Sequence, residues 1–125
     1  MELKIVNVFN ESEPEDEYVW IKVLEDTNLN NFIVCDNTYY PNGQASNKYR
    51  HYFKFPNFPV KKGNYVALYT DLNGRDASGT LSETKAKVYR FDWKLDKCVW
   101  NDTGDTAHLI KVAGHEAFKV LPVKK

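Results

Sequence analysis

The sequence predicts an all-β domain of about eight strands, a sandwich or a barrel, and three observations carry that prediction. Aromatic residues make up 14% of the chain, as eight Tyr, seven Phe and three Trp, and such side chains suit a pleated, half-buried surface. Apolar and polar residues alternate with a period of two in run after run, while no window of a dozen residues keeps the 3.6 period of a helix. The runs are short, closely spaced and divided by Asn, Gly, Asp and Pro, the residues of turns. At 125 residues the chain fits one domain, 1–125, long enough to bury a core without disulfides or metals.

Leu3 to Phe9 is apolar apart from Lys4 and Asn7, and Tyr18 to Leu24 is apolar apart from Lys22. Phe32, Val34 and Asp36 mark a third run. In the fourth, Tyr49 to Phe55, strict alternation puts Tyr49, His51, Phe53 and Phe55 on one face and Arg50, Tyr52 and Lys54 on the other, with Lys48 joining the latter. Asn64 to Asp71 follows a turn at Pro59–Gly63, and Lys85 to Phe91 alternates again. Thr106–Val112 and Glu116–Val123 read as a closing hairpin around Gly114, which would supply a positive φ. The longer loops fall at Asn10–Glu17, Asn37–Lys48, Leu72–Thr84 and Lys94–Gly104, with no internal repeat and no low-complexity linker.

Net charge is zero but unevenly placed: residues 1–36 hold nine acids against Lys4 and Lys22, a net of −7, and the remainder a net of +7. The acids of the Asn10–Glu17 segment read as a solvated loop. No stretch approaches the roughly 18 apolar residues of a membrane span, and Met1–Asn10 lacks the basic start and apolar run of a signal peptide. A cytoplasmic protein is expected if the chain as given is complete and no leader has been removed. Cys35 and Cys98 are read as two buried thiols acting as small apolar residues, with an inter-sheet disulfide as the alternative.

Three segments together resemble the lamin-tail domain, the tail domain of intermediate filaments. Glu17-Tyr18-Val19-Trp20-Ile21-Lys22 is similar to the family's strand after an acidic loop. Tyr52-Phe53-Lys54-Phe55-Pro56, followed by Val60-Lys61-Lys62-Gly63-Asn64-Tyr65-Val66, resembles its aromatic-x-Phe-Pro strand, turn and apolar strand. Val99-Trp100-Asn101-Asp102-Thr103-Gly104-Asp105-Thr106-Ala107-His108-Leu109 is similar to the family's Val-Trp-Asn-Asn-x-Gly-Asp-Thr-Ala-x-Leu. The sequence departs from the family pattern at Asn31-Phe32, where Gly-Trp is expected, and at Lys62-Gly63, where Pro-Gly is expected. The resemblance implies an immunoglobulin-like β-sandwich and a non-catalytic module for protein interaction or scaffolding, self-association included. On physical grounds Trp100 is expected to plug the end of the sandwich, contributing a few kcal/mol, with Asn101, Asp102 and Gly104 forming the adjoining turn.

Chemistry is sparse. The three histidines, His51, His108 and His115, have no CxxC or HxxxH spacing to organise a metal site, and the acids near the start follow no calcium-loop pattern. There is no phosphate loop before a helix and no G-x-S-x-G turn. No catalytic residue, cofactor or metal ligand is assigned. The best alternative to a protein-binding role is nucleic-acid binding through Lys48, Arg50, Tyr52 and Lys54, where cations would meet phosphates while Tyr52 stacks on a base; Lys61, Lys62, Lys85 and Lys87 would add to it if their strands share the sheet. Carbohydrate binding on Trp20 or Trp93 is a minor alternative, with both rings expected to be largely buried.

Overall fold

The computed structural model describes residues 1–10, 13–39, 45–100 and 106–123, for 38–39 and 45–49 the backbone alone. The chain forms β1 (Leu3–Phe9), β2 (Tyr18–Val23), β3 (Thr27–Asn28), β4 (Phe32–Tyr39), β5 (Ala45–Lys54), β6 (Pro59–Val60), β7 (Tyr65–Tyr69), β8 (Ser78–Thr80), β9 (Lys87–Asp92) and β10 (His108–Lys111). Single 3-10 turns at Pro14–Asp16 and Leu29–Asn31 are the described helical pieces. The all-β prediction holds. A five-stranded sheet runs in the order β1-β2-β7-β9-β8, a three-stranded sheet β10-β4-β5 faces it, and β3 pairs with β6 at one end. All pairs are antiparallel except β7 with β9.

The sheets face each other because alternation gives each one apolar side. In β2, Val19, Ile21 and Val23 point inward and are buried, while Tyr18, Trp20 and Lys22 point outward. Val66 and Leu68 of β7 join them, and Phe32, Val34 and Phe55 arrive from the opposite sheet. Each of these, fully buried, contributes about 1.5–3 kcal/mol. An edge-to-face network of Phe53, Phe55, Phe58 and Phe91 continues the core towards Trp93, which lies 6.2 Å from Trp100. Trp100 is buried in that core, as expected of a plug.

Strand β7 is buried on both faces. Its outward residues Ala67 and Tyr69 are covered by Leu72 and Leu81, carried by the connection that crosses to β9. That connection contains β8, which the sequence places in a loop; Ser78-Gly79-Thr80 is too short and polar to show an apolar period. The expected loop at 37–48 is shorter too, since β4 runs on to Tyr39 and β5 begins at Ala45.

The closing hairpin does not form. β10 pairs with β4 from His108↔Cys35 to Lys111↔Phe32, and the Val112 N–H bonds to the Asn31 carbonyl, but residues 112–123 form no strand. Gly114 does not adopt the positive φ that the turn requires, unlike Gly63 and Gly74.

Candidate functional site

The face expected to join Lys48, Arg50, Tyr52 and Lys54 is broken by a bulge. Phe53 pairs with Val34 but Arg50 pairs with Asp36, so β5 spends one residue more than β4 over this stretch, and His51 takes φ 50° there. Residues directly opposite share a face, and so do residues two apart on β4; Arg50 therefore stands on the side of Val34 and Phe53, opposite Tyr52 and Lys54. Asp36 is completely buried, and Arg50 Nε and His51 Nδ1 reach its two carboxylate oxygens at 3.2 and 2.9 Å. This is a structural task for both side chains. Lys54 donates to the Asn30 carbonyl at 2.6 Å, and Tyr52 is exposed. The Lys48 side chain lies outside the described residues. Lys87 belongs to the other sheet, while Lys61, Lys62 and Lys85 sit in turns, so these four do not extend the β5 face.

A second buried carboxylate organises the Trp100 end. Glu17, at the entry to β2, is 0% exposed, and its Oε1 accepts from Thr70 Oγ1 at 2.6 Å and from the Val99 N–H at 2.8 Å. Its backbone carbonyl accepts from the Thr70 N–H. Glu17 thus ties the end of β7 and the segment bearing Trp100 to the start of β2. Asn101, Asp102 and Asp105 lie outside the described residues, and with them the turn expected of Asn101–Gly104.

The outer face of the five-stranded sheet carries what the sequence reading passed over. Strand pairing sets Phe9, Tyr18 and Tyr69 in one row, Asn7, Trp20, Ala67 and Arg90 in the next, and Lys4, Lys22, Tyr65 and Val88 in a third. Tyr18 stacks between Phe9 and Tyr69, each at 4.7 Å, and Trp20 stacks on Tyr65 at 4.7 Å with only 10° between the ring planes. Trp20 is half-buried there, while Trp93 is buried as expected. Alternation within Tyr18-Val19-Trp20-Ile21-Lys22 and Tyr65-Val66-Ala67-Leu68-Tyr69 was the available signal; the register joining them was not.

Among the described residues no group of three His, Cys, Asp or Glu could hold a metal ion. His51 is exposed, and His108 Nε2 lies 3.1 Å from Asn37 Oδ1. Cys35 and Cys98 are not joined in a disulfide; Cys35 is buried and Cys98 exposed, which corrects the expectation that both are buried. Burial pushes the Cys35 thiol pKa up, and the neighbouring Asp36 charge adds to that. No described helix is long and apolar enough to cross a membrane. Beyond β10, Phe118, Val120, Leu121 and Val123 are 87%, 82%, 75% and 85% exposed. Neither a scan against protein-family models nor a search of curated proteins finds a match to the chain.

Proposed function

We propose that the chain is a non-catalytic interaction module, an immunoglobulin-like sandwich of the lamin-tail type, and that residues 116–123 form part of its contact with a protein partner. The observation that carries this reading is the exposure of Phe118, Val120, Leu121 and Val123 in one short segment. Isolated apolar side chains are ordinary on a surface, but a run of them marks a site of association. The segment is rich in β-prone residues and forms no strand within the domain, so it is free to add to the sheet edge of a partner, where main-chain hydrogen bonds give affinity and alternate side chains enter pockets. Burying Phe118 and Val120 alone would contribute about 1.5–3 kcal/mol each.

The test compares proteins captured from the native source by the wild-type chain and by a Phe118→Ser, Val120→Ser, Leu121→Ser variant of unchanged melting temperature. The reading expects a specific protein, or a second copy of this chain, held by the wild type and lost by the variant. Identical capture by both would refute it.

A further inference from the structure

The outer face of the five-stranded sheet ends in a cavity of about 430 Å³, whose lining includes Lys22, Lys62, Asn64, Tyr65, Thr84 and Ala86. Its construction follows from the strands. Lys22 on β2 stands directly opposite Tyr65 on β7, and the turn at Lys62–Asn64 leads into β7, with Gly63 at φ 92°. A second turn, Thr84–Ala86, leads into β9, with Lys85 at φ 61° and its N–H bonded to the Leu81 carbonyl. The Tyr65 ring is backed by Trp20, stacked almost parallel to it. Trp20 does not line the cavity, so the cavity meets the stack through Tyr65.

The electrostatics are one-sided. Among the described residues no carboxylate lines the cavity. Asp26 pairs with Lys61 and accepts the Lys62 backbone N–H, while among the described residues no carboxylate pairs with the Lys22 or Lys62 ammonium. An aromatic residue, two lysines, an asparagine and a threonine thus line a space of ligand size. Stacking on Tyr65 calls for a planar ring, the lysines call for an anion, and Asn64 and Thr84 offer hydrogen bonds to a polar edge.

We propose that this cavity binds a nucleotide unit, its base stacked on Tyr65 and its phosphate held by Lys22 and Lys62, either as a free mononucleotide or as one residue of a single strand. The residues differ both from the 116–123 segment and from the β5 face. An uncharged sugar would use the ring and leave both ammonium groups unanswered.

The test titrates the full chain at low salt with AMP, with UMP and with a fluorescein-labelled oligothymidylate, read by tryptophan quenching and by anisotropy. Binding that weakens as salt rises is expected. Tyr65→Leu should weaken it about tenfold, Tyr65→Phe should leave it within about threefold, and Lys22→Met or Lys62→Met should each lower the salt slope by about one. A joint Tyr52→Ala, Lys54→Ala variant should bind as the wild type does. Saturation by a mononucleotide with the same Tyr65 dependence identifies the free ligand as the source, and binding of the oligonucleotide alone identifies the strand. The proposal is overturned by no binding to any of the three, by binding indifferent to the two lysine variants, or by heparin oligosaccharides binding where nucleotides do not. Should Tyr65→Leu fail to fold, the Phe and Met variants carry the same decision.

Discussion

Replacing Glu17 by Ala should cost about 3 kcal/mol, because the side chain is a buried acceptor for two otherwise unpaired donors. The Thr70 hydroxyl and the Val99 N–H, both inside the domain, point at Oε1 from 2.6 and 2.8 Å. A buried donor left without a partner costs about 1–3 kcal/mol, so two cost about 2–6. Part of this is returned, since Glu17 Oε2 has no partner and the variant no longer buries that polar atom. Glu17→Gln keeps an oxygen at the same place but sets an amide NH2 where Oε2 has no partner, so about 1–2 kcal/mol is expected. Urea unfolding followed by tryptophan fluorescence, extrapolated linearly to water, measures both variants. Trp100 follows Val99 directly, so the native emission should shift to the red in the Ala variant. A cost below about 0.5 kcal/mol for Glu17→Ala would refute the pinning role.

Three further outcomes follow from other contacts. Asp36→Ala should cost about 2–3 kcal/mol in the same urea assay and Arg50→Ala about 1 or less, because Asp36 is wholly buried while Arg50 is 48% exposed and His51 remains as a partner. One thiol, Cys98, should react with Ellman's reagent in the folded protein and two in denaturant, since Cys35 is buried with its thiolate disfavoured; two rapid equivalents before unfolding would contradict the structure. The hydrogen bond from Lys111 holds the Glu2 carboxyl below its ordinary value of 4.5. A carboxyl depressed in the folded state gives stability above its unfolded pKa and loses it as pH falls through the folded one. The wild type should therefore melt above Glu2→Gln at pH 7, with the gap closing on acidification below about 4.5; a gap that persists in strong acid would assign it to something other than this charge.

The parts legible in the sequence are those a single strand decides by itself. The run Tyr18 to Leu24 reads as a strand, and the structure forms one over Tyr18–Val23 with Val19, Ile21 and Val23 buried. Strand β5 reads just as cleanly and misleads, because its bulge at His51 has no Gly to announce it and rests on the approach of Asp36 from a neighbouring strand. The partners of Glu17 lie 53 and 82 residues further on, so its carboxylate looks like one more acid of the Asn10–Glu17 loop until the chain is folded. The Trp20–Tyr65 stack depends likewise on β2–β7 register, which no local pattern states. Glu116–Val123 reads as a strand but pairs with none of the described strands, although β10 stands at an open edge of its sheet. Period reports what a segment is suited to pair with, not whether its partner is in the same domain.

That segment offers the most direct measurement. Amide hydrogen exchange should be followed residue by residue in the isolated chain and again with the captured partner bound. The account predicts rapid exchange at 116–123 in the isolated chain, slow exchange in β4 at the centre of its sheet, and new protection of 116–123 in the complex. Strong protection of 116–123 in the dilute monomer would mean that the hairpin closes within the domain, and it would contradict the proposed contact.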